Sequence, residues 1–416
     1  MNSTNSNPAA FVIPGEAPSA ARVLLKTLLR LRHGTLTVKL PDGSVQRFGS
    51  GEAPTASLHL LNWHVCAATL KSGDIGFAES YMAGDWTTPH LAELLRIFLI
   101  NRKEIEDVIY GTWLGRLVYR FKHLLNRNTR ANSQKNIQAH YDLGNAFYAL
   151  WLDATMNYSS ALFEVDNASL AEAQQAKVQR ALRMARVGPG MRVLEIGCGW
   201  GALAESAAGE FGASVVGLTL SAEQLAFAQQ RIDRAGLTAQ VELRLQDYRD
   251  IEPTSSDGRF DAVCSIEMVE AVGREYWNDY FQTISRQLKP GAYACIQSIV
   301  IADRLAERYR SSTDFIQQYV FPGGYLPSPT EFRAQVAQAG LELVDEFAFG
   351  QDYARTLQSW REQFVAQAGQ VLQLGYDRRF LRLWEFYLAY CEAAFREANT
   401  DVVQYTLRKP AGSADA

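Results

Sequence analysis

The sequence predicts an α/β protein, with a Rossmann-like core and a smaller α+β domain before it, on three observations. A short apolar strand, Val193 to Ile196, runs directly into a glycine turn and then into a helix pattern from Ala202. Two more apolar strands, Ser214–Leu218 and Phe260–Ile266, follow in the order of repeated β–turn–α units. The region before residue 126 shows instead a hairpin and short helices.

Composition limits the classes of protein that this chain can be. Its 416 residues allow two to three domains, and a hydrophobic share of 47% allows a sizeable core. Five scattered cysteines without a C-x-x-C pair fit a reducing cytosol and argue against a metal site or disulfide framework. The net charge of −4 argues against nucleic acid as a partner. Neither a signal peptide nor an apolar run of about eighteen residues is evident.

The N-terminal domain is expected over residues 20–125, after a disordered tail at 1–19. A basic helix pattern comes first, and then a β-hairpin whose apolar alternation stops at Pro41-Asp42-Gly43. The predicted elements, in order, are a helix over Ala20–Leu31, the hairpin over Gly34–Phe48, mixed strand and helix signals over Leu58–Lys71, a turn-rich connector with a helix inside it over Gly73–Trp86, and a helix over Leu91–Ile100. No convincing catalytic set lies here.

An amphipathic helix is predicted over Tyr110–Arg127, with one apolar side and five basic side chains on the rest. Such a helix fits the surface of an anionic membrane, and an ordinary packing helix with a solvated face fits the pattern equally well. Residues 126–136 are polar and basic and are predicted to be a linker.

The second domain is expected over residues 137–408. After its first strands, a turn at Lys289-Pro290-Gly291 precedes another strand. The later elements are the strand Ala292–Ile299, an inserted helical segment over Arg304–Tyr319, helices within Tyr353–Asn399 and a final strand over Val402–Leu407.

The glycine turn indicates a cofactor site, because glycine lets the backbone turn sharply and a ligand come close. Glu195 lies inside the end of the strand, and the polar turn Thr219–Gln224 follows the next strand. This order suits a cofactor with adenine, ribose and an amino-acid tail, and it resembles the S-adenosylmethionine site of class I methyltransferases. A dinucleotide-binding Rossmann unit is the alternative.

Five separated stretches resemble the cyclopropane-fatty-acid synthases, S-adenosylmethionine-dependent enzymes that modify unsaturated acyl chains of phospholipids. They are His140–Asn145, Tyr158–Ser160, Leu194–Gly201, Phe321–Gly324 and Phe349–Tyr353. The resemblance implies a class I methyltransferase core that forms cyclopropane fatty acids from the cis double bonds of phospholipids. It also implies a sterol-carrier-like, lipid-presenting front domain and a cytoplasmic enzyme, peripheral at the inner face of the membrane. The sequence leaves the oligomeric state open, with a homodimer as one possible assembly.

The same resemblance implies which residues contact the cofactor. Tyr158 and Ser159 would close over its methionine end. The contacts from the three turns would be Glu195, Gly197, Cys198, Gly199, Thr219, Ser221, Gln224, Asp247 and Tyr248. Cys198 equally fits a packing role, and Ser221 equally fits an N-cap of the next helix.

The implied reaction needs a base. Methyl transfer to an alkene leaves a carbocation, and proton loss from the new methyl group closes a ring, whereas loss from a neighbouring carbon gives a branched product. Glu267 and Glu270 are three residues apart, so a helical turn would place both on one face. Two carboxylates in an apolar site repel, which raises one pKa toward the range for proton transfer. The alternative for either glutamate is that it only holds a neighbouring helix or the cofactor's ammonium group, and this alternative is weaker for Glu270 than for Glu267.

In the best-known branch of the family, bicarbonate is the base, held by a cysteine, a glutamate, a histidine and a tyrosine. Glu270 and Tyr353 match the glutamate and the tyrosine, whereas Ser160 and Gln297 stand where the cysteine and histidine are expected. The bicarbonate site is therefore left open, with a direct carboxylate base as the alternative. Cys391 matches a late cysteine often marked as catalytic, and core packing is its alternative.

Other functions remain as alternatives to cyclopropane formation. The same cofactor and substrate could yield a methyl- or methylene-branched acyl chain. A catalytically decayed lipid-binding protein is a second alternative, against which the intact glycine turn, Glu270 and Tyr353 argue. A small-molecule methyltransferase is a third, and it would not need the basic helix over Tyr110–Arg127.

Overall fold

The computed structural model describes residues 11–106, 143–252 and 259–412, which form two compact units. The first unit comprises Met1–Arg120 and Tyr376–Glu397, and the second Phe121–Gly375 and Ala398–Ala416. The predicted helix over 110–127 and the linker over 126–136 lie outside the described residues. Within the described ranges, no helix is both long and apolar enough to cross a membrane.

The first unit contains a four-stranded sheet with the order β2-β1-β3-β4. Its elements are α1 (Ser19–Leu28), β1 (Thr35–Lys39), β2 (Val45–Gly49), β3 (Thr55–Leu60), α2 (His64–Ala83), β4 (Trp86–Thr87), α3 (Leu91–Ile100) and the helix Arg378–Arg396, here called the late helix. Strands β1 and β2 pair antiparallel, from Thr35 opposite Gly49 to Lys39 opposite Val45. The predicted hairpin is therefore confirmed.

Two expectations for this part of the chain are wrong. The helix expected inside Gly73–Trp86 is confirmed, but the region is not a turn-rich connector, because α2 continues to Ala83 and only bends at Gly73, where φ is 60° and ψ is −133°. The late helix was expected inside the 137–408 domain, but it belongs to the first unit. Its Phe386 ring packs against Phe77 and Tyr81. An aromatic face at helical spacing shows that a helix is buried but not which sheet it covers.

The second unit contains a seven-stranded sheet with the order β10-β11-β9-β8-β5-β6-β7. Its helices are α4 (Asn145–Tyr148), α5 (Leu170–Met184), α6 (Ala202–Gly209), α7 (Ala222–Arg234), α8 (Val269–Val272), α9 (Trp277–Gln287), α10 (Asp303–Ser311), α11 (Phe315–Tyr319), α12 (Pro329–Gln338), α13 (Gly350–Ala366) and α14 (Ala368–Gln373). Its strands are β5 (Arg192–Ile196), β6 (Ser214–Thr219), β7 (Val241–Leu245), β8 (Phe260–Ile266), β9 (Leu288–Ile301), β10 (Glu342–Ala348) and β11 (Thr400–Arg408).

The strand order positions the site. Strands β5 to β9 pair in parallel, and β11 lies antiparallel between β9 and β10. The chain runs outward from β5 through β6 to β7 and then returns to β8 on the other side of β5. Ligands of such sheets bind at the carboxyl ends of the strands where the order reverses, here between β5 and β8. The predicted Rossmann-like core is confirmed.

Both faces of this sheet are covered, as the alternation along β5 requires. Leu194 packs into an apolar core with Val216, Ile296 and Trp277. Val193, one residue earlier, belongs to the core on the other face, where α5 and α6 pack. The rigid sheet therefore fixes the positions of the side chains at its carboxyl edge.

Candidate active site

The glycine turn after β5 adopts the backbone that glycine favours. Gly197, Gly199 and Gly201 have φ values of 83°, 49° and 84°. The N–H groups of Gly197 and Cys198 donate to the carbonyl oxygen of Leu218 at 3.0 and 2.8 Å, which fixes the turn to β6. A Cβ on Gly197 would lie 2.4 Å from Met268 Cγ, whereas a Cβ on Gly199 would meet nothing within 4 Å. Gly197 is thus required for packing, while Gly199 borders open space.

The two glycines should therefore respond differently to alanine. Gly197→Ala is expected to lower the free energy of unfolding by about 2–3 kcal/mol, from backbone strain and from displacement of Met268. Gly199→Ala adds the strain alone, about 1–2 kcal/mol, but its methyl group enters the open space and weakens cofactor binding. Urea unfolding and titration calorimetry with S-adenosylmethionine test both effects. Wild-type cofactor affinity in Gly199→Ala would show that the ligand does not approach this residue.

A carboxyl and an ammonium group are buried together at the end of β5. Glu195 is 3% exposed and Lys177 is 0% exposed. Burial raises the pKa of Glu195, and the charge of Lys177 opposes that rise. Burial lowers the pKa of Lys177, and the charges of Glu267, Asp153 and Glu195 oppose that fall. Because Glu195 Oε2 is buried without a hydrogen-bond partner, it can accept a hydrogen bond from a cationic ligand.

Lys177 is a site residue that the sequence analysis missed. Its Nζ donates to Ser159 Oγ at 2.5 Å, so it holds the loop predicted to close over the cofactor. A signal was available in the sequence. The buried positions of α5 recur at helical spacing, and the set is Ala173, Gln174, Lys177, Val178, Ala181 and Leu182. A lysine inside such a stripe must be buried and paired.

The loop Tyr158–Ser160 brings its predicted contacts to the same place. The Tyr158 ring packs against Tyr148, Trp151 and Trp360. The Ser160 hydroxyl donates to the carbonyl oxygen of Ala161 at 2.9 Å, while its backbone N–H donates to Glu267 Oε1, also at 2.9 Å. Ser160 therefore reaches Glu267 through its backbone, and the contact would survive another side chain at this position.

Glu267 is the centre of the hydrogen-bond network. Its Oε1 accepts from Ser160 N–H and, at 2.8 Å, from Gln297 Nε2. Its Oε2 accepts from the Tyr353 hydroxyl at 2.7 Å. Burial raises the pKa of Glu267, while these donors and Lys177 act in the opposite direction. The residue keeps partial exposure, as a base that must meet a substrate requires.

The reason given for pairing Glu267 with Glu270 is wrong, although both lie in the site. Glu267 precedes α8, which begins at Val269, so no helical face carries the two carboxyls. Glu267 instead has a φ of 53°, a left-handed conformation that costs a glutamate about 1–2 kcal/mol. Periodicity cannot reveal such a turn, because its signal belongs to one residue.

Glu270 differs from Glu267 in its environment. Its Oε1 accepts from the Ser298 hydroxyl at 3.2 Å and from the Ile299 N–H, and its Oε2 is buried without a partner. Burial raises the pKa of Glu270 to about 8, and the charge of Glu267 adds to the rise. Burial therefore favours the protonated form of Glu270, while the three donors and Lys177 favour the ionised form of Glu267.

In the turns that follow β6 and β7, the polar side chains form hydrogen bonds with neighbouring residues of the same turn. Ser221 Oγ accepts from Gln224 N–H at 3.2 Å and caps α7, which confirms the N-cap alternative. Thr219 Oγ1 donates to Gln224 Oε1 at 3.0 Å. Asp247 accepts from the Arg249 side chain at 2.9 and 2.5 Å, and the Tyr248 ring packs in the core beside Tyr280. Cofactor contacts by these five residues remain predictions.

Cys391 is the one predicted catalytic residue that lies in the first unit. It is half-buried on the late helix, whereas the other candidates belong to the second unit. Its catalytic role remains a prediction.

The second-unit residues fit S-adenosylmethionine. The charges of Glu195 and Glu267 act on the buried ammonium group of Lys177, and the charge of Glu267 also acts on Glu270. A ligand with a sulfonium and an ammonium group would favour the ionised form of these carboxyls and would be bound by them. The open space at Gly199 and the unpartnered oxygen of Glu195 both lie at the carboxyl end of β5, where the strand order reverses.

Comparisons with known proteins agree with this geometry. Residues 128–405 match the family described as "Mycolic acid cyclopropane synthetase". Tuberculostearic acid methyltransferase UfaA1 of Mycobacterium tuberculosis is 37% identical over 413 residues, 96% of this chain and 94% of that protein. Cyclopropane-fatty-acyl-phospholipid synthase of Escherichia coli is 34% identical over 356 residues, 85% of this chain and 88% of that protein. The crystal structure of mycolic acid cyclopropane synthase CmaA1 complexed with SAH and CTAB superposes with a TM-score of 0.62 and 31% identity, over 66% of this chain and 98% of that chain.

Proposed function

The chain belongs to the mycolic acid cyclopropane synthetase family and is an S-adenosylmethionine-dependent methyltransferase, and on this premise we propose that it alkylates cis double bonds in the acyl chains of phospholipids to form cyclopropane fatty acids. The observation that carries the proposal is the carboxylate of Glu267, held by three hydrogen-bond donors in the interior. An alkene alkylation needs such a base, because the cation that it leaves must lose a proton.

In this proposal Glu195, Glu267 and Glu270 have different roles in the reaction. S-adenosylmethionine supplies an electrophilic methyl group. Glu195 holds the cofactor's cationic end with its unpartnered oxygen. When the π electrons of the alkene form a bond to the methyl carbon, the bond from that carbon to sulfur would break and a cation would be left on the other alkene carbon. Glu267 then accepts a proton from the new methyl group. The electron pair of the broken C–H bond then closes the ring. Burial favours the protonated form of Glu270, which cannot accept that proton.

Glu267 also takes the place of an external base in this proposal. A bicarbonate ion bound here would need donors to its oxygens, and Ser160 N–H, Gln297 and Tyr353 already donate to Glu267. We infer that the chain carries its own carboxylate and that turnover does not depend on added bicarbonate.

The substrate and the site of action belong to the same proposal. The synthase from E. coli is named for fatty-acyl phospholipid, and this chain covers 88% of its length. We propose membrane phospholipids as substrates, a peripheral contact at the cytoplasmic face of the membrane, and a lipid-presenting role for the first unit.

A methyl- or methylene-branched acyl product is the second candidate. It is favoured by the relative that matches 96% of this chain, which is named a methyltransferase. The product depends on which hydrogen Glu267 reaches, and a shift of the acyl chain by one carbon would change it.

Fatty acids made in cells test both candidates. The chain is expressed in a host without its own synthase, methyl-deuterated methionine is fed, and the fatty acid methyl esters are analysed by gas chromatography with mass spectrometry. Two retained deuteriums with cyclopropane signals in the proton NMR spectrum are expected. Two deuteriums without cyclopropane signals, or three deuteriums, would establish the branched product. Folded, cofactor-binding protein without any labelled lipid would reject lipid alkylation and support a lipid-binding protein.

A further inference from the structure

A row of polar side chains leads from the edge of the second unit to Glu267. Arg180 Nη1 donates to Gln404 Oε1 at 2.7 Å, Gln404 Nε2 donates to Gln297 Oε1 at 3.0 Å, and Gln297 Nε2 donates to Glu267 Oε1 at 2.8 Å. Both glutamines are fully buried, and they stand directly opposite each other on β11 and β9. Two buried amide side chains, hydrogen-bonded to each other, therefore connect Arg180 to Glu267 through the core.

The chemistry of the end groups determines which way each amide points. A guanidinium group only donates, so the oxygen of Gln404 must face Arg180. The amide nitrogen of Gln404 then faces two acceptors, the carbonyl oxygen of Lys177 at 3.1 Å and Gln297 Oε1. This orientation leaves the nitrogen of Gln297 to face Glu267, where an ionised carboxylate accepts.

Arg180 is itself held in place. Its Nη2 lies 3.0 Å from Asp345 Oδ2, and its guanidinium group stacks 4.0 Å from the centre of the Phe347 ring. Its side chain is only 15% exposed. A fixed cation at one end can therefore set the orientation of both amides.

We propose that Arg180 and Gln404 are positioning residues that hold the amide of Gln297 with its nitrogen toward Glu267, and so keep the base ionised. The proposal rests on the proposed function, in which Glu267 is the base. The charged and titratable groups that act on Glu267 from the surrounding elements are Lys177 on α5, Glu270 on α8 and Tyr353 on α13. None of these changes in the variants below.

Two substitutions at Gln404 separate positioning from packing. In Gln404→Glu, the new carboxylate pairs with Arg180 and accepts from Gln297, so the amide of Gln297 reverses and turns its oxygen to Glu267. In Gln404→Leu, Gln297 loses this hydrogen-bond donor, but leucine offers no acceptor that would stabilise the reversed amide. The acid limb of kcat/KM should move up by about one pH unit or more in Gln404→Glu and by a smaller amount in Gln404→Leu, whose melting temperature should fall.

A double-mutant cycle separates the reversal from the charge that glutamate adds. Gln297→Met removes the amide, so Gln404→Glu in that background should produce no further shift of the acid limb. Methyl transfer from labelled S-adenosylmethionine into vesicles of monounsaturated phosphatidylethanolamine and phosphatidylglycerol gives the profiles, between about pH 5.5 and 9. Additive shifts would mean a through-space charge effect and would overturn the proposal.

The remaining outcomes identify which idea has failed. A wild-type profile for Gln404→Glu, or equal shifts in Gln404→Glu and Gln404→Leu, would reject the positioning role. Glu267→Gln is measured in the same assay. If that variant keeps its turnover, the assignment of the base fails. If it is inactive while Gln404→Glu behaves as wild type, only the inference about Arg180 and Gln404 fails.

Discussion

Glu267→Gln is expected to lower lipid alkylation by about 10²–10⁴-fold, the usual contribution of a general base. Glutamine keeps the size of the side chain but cannot accept the proton. Because Glu195 and the glycine turn are unchanged, cofactor affinity should stay within about threefold of wild type. Initial rates on phospholipid vesicles and titration calorimetry with S-adenosylhomocysteine measure the two quantities. A large loss of cofactor affinity would instead assign Glu267 to binding.

Glu392→Gln is the matched control, since it makes the same change at a buried glutamate of the first unit, 2.8 Å from Arg396. It should lower stability and leave the rate per folded molecule unchanged.

Glu267→Gly extends the test, because it removes the carboxylate and leaves the donors Ser160 N–H, Gln297 and Tyr353. Added bicarbonate or formate should then restore part of the rate in this variant and should not raise the rate of wild type. Equal stimulation of both enzymes would mean that bicarbonate is the base in the natural enzyme too.

Lys177→Met is expected to lower kcat/KM by about 10²-fold at neutral pH, through two effects. The Ser159 loop loses the contact at 2.5 Å, and Glu195 and Glu267 lose a positive charge that lowers their pKa values. Both carboxyls then ionise at higher pH, so activity should recover in part as pH rises. Methionine has a similar length, so the packing of α5 should be kept. A uniform loss across the pH range would mean that the lysine acts on the loop alone.

The stability of this variant has a predictable pH dependence. In the wild type the folded-state pKa of Lys177 is about 8, below its ordinary 10.5. Between these values the unfolded chain binds more protons than the folded chain, so this lysine makes stability rise with pH. The variant lacks this rise, and urea unfolding at pH 8 and 10 should show a growing advantage for wild type. Lys289→Met is the control, because that lysine is 39% exposed beside Asp261.

The sequence predicted the fold best where the pattern is local. Strand β5, the three glycines and the start of α6 agree with their predictions, because an apolar run and a glycine turn are local patterns. Glu267, Glu270, Gln297, Ser160 and Tyr353 come together in the structure, although in the sequence they lie between residues 160 and 353. The family resemblance, rather than spacing, identified four of these five.

The sequence did not reveal properties that depend on three-dimensional partners. The burial of Lys177 was missed, although its place among the apolar positions of α5 indicates it, because a lone lysine is normally an exposed residue. Gln404 was missed because an amide acquires a role only from its neighbours, Arg180 and Gln297. The late helix was assigned to the wrong unit because an amphipathic pattern shows that one helix face is buried but does not identify what that face packs against.

The discontinuous path of the chain has a consequence for its synthesis and for its dissection. Residues near the end complete both units, since the late helix joins the first and β11 joins the second between β9 and β10. A nascent chain on the ribosome therefore cannot finish either unit until about residue 400 has emerged. A cut in the 126–136 region would likewise separate the first unit from its own late helix. A fragment that is meant to contain the first unit alone should therefore include the late helix, joined to residues of the N-terminal part by a linker.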